Sequence, residues 1–310
     1  MLDFTPLKWN EFFERKEILS IGDKDKFNVY LKGSTGPLFY LLHGGGYTGL
    51  TWACFSEQLS SQIECQIIAP DLCDHGESQV EDNKDMSAER MAKDVCSIYH
   101  HLYGERTTPP PLILIGHSMG GAIAIHIASF SLLPNILAVS AIDVVEGSAI
   151  ASLNIMQQFL RDRPQIFVST EKAIEWCIKN RITSNLRAAR VSMPSRLVYF
   201  ENNCGKKMLK WRTNLSKTEP YWKGWFKGLS KLFLNCEPVK ILILANIDRL
   251  DRELMTGQMR GQFQLEVMHK VGHAVHEDNP EAVAKRQPHT HDDEENDKTM
   301  TTTQKVEQLK

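Results

Sequence analysis

The stretch LILIGHSMGGAIAIHIA, residues 112–128, places one serine, Ser118, between strand-forming aliphatic residues and small residues that suit a helix. Gly116, Gly120 and Gly121 surround this serine. The pattern G-x-S-x-G is typical of a nucleophile elbow, a strained strand-to-helix turn whose neighbouring positions must lack bulky side chains. Alone, the pentapeptide also fits a glycine-rich turn that opens an ordinary helix. The flanking LILI and AIAIHIA supply the strand and the helix, and they favour the elbow.

The composition is that of an ordinary globular chain. The 310 residues are 42% hydrophobic and 24% charged, which is enough for one large α/β domain with a substantial core. Lysine and arginine total 36 against 38 aspartate and glutamate, so the net charge is −2. Because no basic field covers the whole chain, we expect no nucleic-acid partner.

Cysteine usage and the amino-terminal residues indicate the compartment. The seven cysteines are scattered and form no C-x-x-C pair, so neither a disulfide framework nor a thiolate metal site is expected. The sequence MLDFTPLKWNEFFERKE carries charges where a secretory signal is apolar, and no segment reaches the roughly 18 apolar residues of a membrane span. These features predict no metal, no membrane partner, and a cytoplasmic or nuclear location.

Strand-like and helix-like segments alternate along the chain. Aliphatic runs that end in glycine or acidic residues, such as PLFYLLHGGG and ILAVSAIDVVEG, predict buried parallel strands with helices on both faces. The alternation stops at about residues 148–237, where helix-like segments rich in aromatic residues predict an inserted helical cap, and it then resumes. Residues 1–286 are therefore expected to form one α/β domain. Residues 287–310 are polar and predict a disordered tail.

HGGG, residues 43–46, ends the first predicted parallel strand. Glycine lets a backbone N–H approach a developing oxyanion without a side chain in the way. We therefore expect donors from Gly45, with Gly46 as its neighbour, and from Met119, which follows the serine. A phosphate-binding loop is the alternative, but neither G-x-x-x-x-G-K-[ST] nor G-x-G-x-x-G occurs. No cofactor is expected.

A serine nucleophile needs a histidine base, and the base in turn needs a carboxylate. His273 follows the last apolar strand in VGHAVHEDNP, where the chain order serine, acid, histidine places the base. His276 is the alternative, although its place in a predicted first helical turn favours a structural role. Three further histidines beside glycine motifs are expected to shape loops: His43, His75 and His117.

Two aspartates are candidates for the acid. Asp143 ends the strand directly after the elbow helix, and Asp248 ends the next strand, beyond the cap. The residue pattern alone leaves both open.

Several segments taken together resemble the protein phosphatase methylesterase family. They are LLHGGGYTGLTW, DLCDHGES, LIGHSMGGAIAIHIA, IDVVEGSA, EPYWKGWFKGLS, DRLD, GQMRGQFQ and GHAVHEDNP, and they cover most of residues 1–284. The resemblance implies an α/β-hydrolase fold and removal of the methyl ester from the C-terminal leucine of the type-2A serine/threonine phosphatase catalytic subunit. It implies Ser118 as the nucleophile, His273 as the base and Asp143 as the acid. Residues 196–214 replace the acidic cap insertion of the family.

Two questions of function stay open at this level. A protein with the same fold that binds the phosphatase without turnover is the alternative to an enzyme, and a general esterase for small esters is a third reading. Trp222, Trp225 and Phe226 of the cap predict either its core or a surface that holds the partner.

Overall fold

The computed structural model describes residues 2–81 and 85–288. Except for Gln287 and Pro288, the predicted disordered tail lies outside the described residues.

The strands of the described chain form two sheets. Their bounds are β1 Arg15–Ile21, β2 Asp25–Lys32, β3 Leu38–Leu42, β4 Gln66–Pro70, β5 Leu112–His117, β6 Ile136–Ile142, β7 Ile166–Phe167, β8 Leu197–Glu201, β9 Lys207–Trp211, β10 Val239–Leu244 and β11 Gln264–Val267. The larger sheet has eight strands in the order β1-β2-β4-β3-β5-β6-β10-β11. From β4 to β11 every neighbouring pair is parallel, and β1 and β2 are added antiparallel at one edge.

The helices connect these strands and cover the larger sheet. Their bounds are α1 Ala53–Gln62, α2 Ala88–Tyr103, α3 Met119–Ser129, α4 Glu146–Asp162, α5 Thr170–Lys179, α6 Leu186–Ser195, α7 Glu219–Phe226, α8 Leu229–Asn235, α9 Arg252–Met259, α10 Val275–Asp278 and α11 Pro280–Ala284. The start of α2 shows how local sequence sets such a boundary, because the Ser87 hydroxyl accepts a hydrogen bond from the Arg90 N–H at 3.2 Å.

The central strands are buried on both faces, which explains their continuous aliphatic sequences. Successive side chains of a strand point to opposite faces. Ile113 and Ile115 of β5 accordingly join the core beneath α1, whereas Leu112 and Leu114 join the core beneath α2 and α3. The two cores hold the sheet rigidly between helical layers, and the functional residues lie at the carboxyl ends of its parallel strands.

The segment between β6 and β10 contains more than the predicted helices. Besides α4 to α8 it forms a small antiparallel sheet in the order β7-β9-β8. Phe167, Ile174, Met193 and Leu209 contribute to a separate core there. The sequence analysis did not predict this sheet, although an Asn-Asn-Cys-Gly turn separates its two five-residue strands.

Within the described ranges, no helix combines the length and the apolar character needed to span a membrane.

Candidate active site

Ser118 occupies the sharp turn between β5 and α3. Its backbone lies at φ 52° and ψ −117°, a conformation that L-residues rarely adopt. Such strain costs on the order of 1–3 kcal/mol and persists only where the surroundings enforce it. Here the Ser118 N–H donates to the carbonyl oxygen of Ile142 at 3.0 Å, which ties the turn to the end of β6.

The flanking glycines are required by close backbone contacts. A Cβ at Gly116 would lie 2.2 Å from the Gly120 carbonyl oxygen, and one at Gly120 would lie 2.2 Å from the Leu42 carbonyl oxygen. A Cβ at Gly121 would lie 2.7 Å from a methyl carbon of Val144. The elbow therefore exists because the strand and helix backbones touch where side chains are missing, and the serine side chain is left facing the site.

The structure brings Asp143 and His273 together. Asp143 Oδ2 accepts a hydrogen bond from His273 Nδ1 at 2.7 Å, and Oδ1 accepts one from the Ala245 N–H at 3.1 Å. The Asp143 side chain is fully buried, and its φ of 51° is a second strained backbone at the site. A carboxylate in this position fixes the imidazole tautomer with its proton on Nδ1, which leaves Nε2 free to act as a base.

Asp248, the alternative acid, is exposed in a short 3-10 turn after β10. The next residue, Arg249, instead reaches the site, and its Nη1 donates to Asp143 Oδ2. The sequence analysis did not identify Arg249. In the sequence, the only indication of its role is its position after a predicted strand. That this strand neighbours β6 is known only once the strand order is known.

Ser118 and His273 line the same cavity. Within the part of the chain that the structure describes, no hydrogen bond joins Ser118 Oγ to His273 Nε2. Catalytic hydrogen bonds are often long without substrate and tighten when it binds. The His273 side chain is 40% exposed.

Two buried histidines fix the glycine loop, as expected for loop-shaping residues. His43 Nε2 accepts from the Leu72 N–H at 2.9 Å, and its Nδ1 donates to the Gly44 carbonyl oxygen at 2.8 Å. His75 Nδ1 donates to the Cys73 carbonyl oxygen at 2.7 Å. Burial lowers the pKa of both imidazoles, which keeps them neutral and able to accept as well as donate.

Gly46 differs from its neighbour Gly45, because its backbone amide is not available as an oxyanion donor. Its N–H already donates to His75 Nε2 at 2.9 Å, so this amide is not free for an oxyanion. Its φ of 77° and the Leu215 side chain, 2.7 Å from a hypothetical Cβ, explain why glycine stands there. Gly45 and Met119 also line the cavity, and among the described residues neither of their amides has a hydrogen-bond partner.

The residue before Ser118 contacts the backbone of His273. His117 is fully buried, and its Nε2 donates to the His273 carbonyl oxygen at 3.0 Å. Burial, followed by the neighbouring His273 and His276, lowers its pKa well below the ordinary value. The sequence analysis assigned His117 only to loop shaping.

His276 belongs to a buried hydrogen-bond network and not to the Asp143–His273 pair. Its Nε2 donates to Thr51 Oγ1 at 2.9 Å, and that hydroxyl donates to Glu277 Oε1 at 2.6 Å. The same carboxylate oxygen accepts from Arg196 Nη2 at 2.7 Å. Because burial lowers the pKa of His276 well below its usual range, the ring is neutral and structural.

A cavity of about 560 Å³ opens over the serine. Its lining is mainly apolar and includes Val144 after β6, Leu153 and Met156 of α4, and Leu215, Trp222 and Phe226 of the cap. Trp222, Trp225 and Phe226 are buried in the core that lies against α3, and they also face this cavity. Four arginines add positive charge to the lining: Arg163, Arg181, Arg196 and Arg249.

A strained serine elbow, a histidine–aspartate pair and free loop amides at the carboxyl ends of parallel strands define a serine hydrolase of the α/β-hydrolase class. The alpha/beta hydrolase family matches residues 39–286, and the chain belongs to it. Among solved structures, E-2-(acetamidomethylene)succinate hydrolase superposes with a TM-score of 0.69 at 22% identity, covering 87% of this chain and 96% of that one. An esterase from Mycobacterium tuberculosis superposes with a TM-score of 0.65 at 18% identity, covering 87% and 89%. These similarities confirm the predicted fold.

Sequence relatives narrow the class. The probable protein phosphatase methylesterase 1 of Caenorhabditis elegans is 48% identical over 283 residues, which cover 91% of this chain and 76% of that protein. Protein phosphatase methylesterase 1 of Homo sapiens is 45% identical over 323 aligned positions, which cover 91% of this chain and 83% of that protein. The chain belongs to the protein phosphatase methylesterase family, and the predicted resemblance is confirmed.

Proposed function

We propose that this chain is a serine carboxylesterase that removes the methyl ester from the C-terminal leucine of the type-2A serine/threonine phosphatase catalytic subunit. Family membership supports action on a protein phosphatase. The observation that carries the proposal is the 2.7 Å hydrogen bond between Asp143 and His273 in the cavity that Ser118 lines. This arrangement supplies a base beside a strained nucleophile.

The first half-reaction transfers the acyl group. His273 Nε2 takes the proton of the Ser118 hydroxyl while the serine oxygen attacks the ester carbonyl carbon. The carbonyl electron pair moves to oxygen, and the N–H groups of Gly45 and Met119 bind the resulting oxyanion. When the intermediate collapses, the methoxy group takes the proton from His273 and leaves as methanol. The product is an ester between Ser118 and the leucine carboxyl group.

The second half-reaction restores the enzyme. His273 removes a proton from a water molecule, and the water oxygen attacks the new ester carbonyl. The same two amides bind the second oxyanion, and the serine oxygen regains its proton from His273 as it leaves. Asp143 stabilises the imidazolium in both halves without itself taking the proton. The leucine carboxylate is released.

The start of α3 supports oxyanion binding through its dipole as well as its amide. Met119 is the first residue of α3, where backbone N–H groups lack intrahelical acceptors. The helix dipole adds partial positive charge at this end. Loss of one such donor typically costs about 3 kcal/mol of transition-state stabilisation.

The substrate end fits the lining. Leu153, Met156 and Leu215 give an apolar surface for a leucine side chain at the cavity wall.

We propose that residues 1–286 form one hydrolase domain, with its cap at about residues 148–237. All seven cysteines are free, which supports a cytoplasmic or nuclear location because thiols stay reduced in those compartments. Imaging a fluorescent fusion tests this location.

The decisive experiment is methanol release from the carboxymethylated phosphatase catalytic subunit. The wild-type chain should demethylate the subunit, and Ser118→Ala should not. Labelling by a fluorophosphonate probe that depends on Ser118 tests the nucleophile independently of the substrate. A chain that binds the phosphatase but neither releases methanol nor takes the probe would be the non-catalytic binding protein. A chain that cleaves short acyl esters but leaves the methylated subunit intact would be a general esterase.

A further inference from the structure

Two arginines of the cap region face the cavity with unused hydrogen-bonding capacity. Arg196 follows α6 and Arg163 follows α4, and both line the cavity over Ser118. The mechanism proposed above uses neither of them. Buried guanidinium groups are costly unless anions or acceptors satisfy them, so their environment indicates what the cavity binds.

Arg196 is held firmly but only partly satisfied. Its side chain is 4% exposed, and its Nη2 donates to Glu277 Oε1 at 2.7 Å. The guanidinium carbon lies 3.8 Å from the centroid of the Tyr47 ring. Within the described part of the chain, its buried Nε has no hydrogen-bond partner. Its Nη2 also donates to Ser192 Oγ at 3.1 Å, so Nη2 makes both of the hydrogen bonds that hold Arg196.

Arg163 lacks even the carboxylate that Arg196 has. Its guanidinium carbon lies 4.0 Å from the centroid of the Trp211 ring, and no acidic side chain of the described residues pairs with it. Its buried Nε also has no partner there. Burial, followed by the nearby charge of Arg196, lowers the pKa of Arg163 to about 10. An anion between the two groups would relieve this repulsion.

A line of ring contacts connects Arg196 with His273. The His273 and His117 ring centroids are 4.6 Å apart, and those of His117 and Tyr47 are 5.2 Å apart. Tyr47 in turn lies beneath Arg196. Arg196 is thus two rings from His273, and Arg163 and Trp211 line the same cavity as these two residues. A peptide whose esterified end lies at Ser118 would share this cavity with Arg163 and Arg196.

We propose that Arg163 and Arg196 form a subsite for a carboxylate side chain of the substrate peptide, in a residue shortly before the esterified leucine. This inference rests on the proposed function, because it names a recognition element of the same substrate. Guanidinium groups bind carboxylates through paired, charge-assisted hydrogen bonds. The esterified terminus carries no negative charge of its own, so the upstream carboxylate is what these cations recognise.

The test compares peptides that end in leucine methyl ester and differ by one residue. Aspartate is placed two, three, four or five residues before the leucine, and each peptide is paired with its asparagine analogue. We expect the best aspartate peptide to exceed its analogue by about tenfold in kcat/KM, the effect of one charge-assisted hydrogen bond. Raising the salt concentration should reduce this ratio.

Arg163→Gln is the main variant, because removal of Arg196 would leave Glu277 buried and unpaired. This substitution should bring the aspartate-to-asparagine ratio close to one, and Arg163→Lys should give an intermediate ratio because it keeps charge without the planar fork. Arg161→Gln is the matched control. Arg161 is exposed in the last turn of α4, two residues before Arg163, and does not line the cavity, so its ratio and activity should equal those of the wild type.

A wild-type ratio of one at every position would overturn the inference, as would an unchanged ratio in Arg163→Gln. Failure of the proposed function looks different, since then neither peptide of any pair is hydrolysed. In that case, binding of the same fluorescent peptides to Ser118→Ala decides the inference by anisotropy. Equal dissociation constants for the aspartate and asparagine peptides would contradict the carboxylate subsite, and tighter binding of the aspartate peptide would support it.

Discussion

His117 and His273 are joined by a hydrogen bond from the Nε2 of His117 to the carbonyl oxygen of His273, at 3.0 Å. His117, which directly precedes Ser118, thus contacts the backbone of His273, the proposed base. His117 is fully buried, and its lowered pKa keeps one proton on the ring, used at Nε2. This neutral imidazole therefore links the elbow directly to the segment that carries His273.

His117→Phe should lower kcat by about 10- to 100-fold, because the base loop loses its donor and displacements of about 1 Å have effects of that size. The rate constant of fluorophosphonate labelling at Ser118 should fall in parallel. Loss of folded protein alone would lower the labelled fraction but not this rate constant. His117→Gln offers a side-chain N–H and should restore part of the rate. Normal kcat in His117→Phe would show that the loop is held by other contacts.

Asp143→Asn should lower kcat by about four orders of magnitude, the size of effect seen when an amide replaces the acid of a serine hydrolase triad. Asp248→Asn is the matched control, since Asp248 is exposed and does not contact His273. Ester hydrolysis and methanol release measure both. A selective loss in Asp248→Asn would reassign the acid.

Ser118→Gly should be inactive and more stable than Ser118→Ala. Both variants lose the nucleophile, but glycine adopts a positive φ without a steric penalty whereas alanine keeps the strain of φ 52°. We expect a difference of about 1 kcal/mol in the free energy of unfolding, measured by urea titration. Equal stability of the two variants would mean that the elbow stores no usable strain.

Gly116→Ala should destabilise the fold by about 3 kcal/mol, because its Cβ would lie 2.2 Å from backbone of α3 that cannot move away. Gly224→Ala in α7 is the control with the opposite sign. Nothing lies within 4 Å of its hypothetical Cβ, and alanine favours a helix by about 0.5–1 kcal/mol. Thermal unfolding separates the two, and a tolerated Gly116→Ala would contradict the tight elbow.

The buried histidines predict loss of stability in acid. Burial lowers the pKa of His43, His75, His117 and His276 in the folded protein, so the unfolded chain binds more protons below about pH 6.5. Stability should therefore be full above that pH and fall as the pH drops, by up to about 1.4 kcal/mol per pH unit for each histidine. Urea unfolding at pH 7.5 and 5.5 measures this slope.

His276→Asn should reduce that acid slope by removing one of the contributing groups. His100→Asn, at an exposed position of α2, controls for the substitution itself. A free energy of unfolding that stays constant between the two pH values would contradict the neutral, buried state of these rings.

The local parts of the site could be predicted from the sequence because each needs only neighbouring residues. The elbow depends on glycines two and three residues from Ser118, and the loop HGGG follows its own strand directly. The acid could not be chosen this way. Asp143 and Asp248 both follow parallel strands, and only the contacts of the folded chain show that β6 presents its aspartate to His273 while the later aspartate faces solvent.

The groups that the sequence analysis missed act across long sequence separations. Arg249 contacts an acid 106 residues earlier, and Arg196 pairs with Glu277 81 residues later. No local periodicity encodes such pairs. Gly46 was considered as part of the oxyanion loop, but contacts with distant residues give it another role. A left-handed turn and the Leu215 side chain require glycine there, and its amide binds His75 from another loop.

The strand order has a consequence for how this chain acquires activity. The loop amide at Gly45, the serine and the base are contributed by segments spread over more than two hundred positions, and β5 is inserted between β3 and β6 in the sheet. Pairings of this kind form slowly and late. A chain translated only as far as the cap lacks His273, the proposed base. Turnover of an ester thus serves as a direct readout that maturation of the whole polypeptide is complete.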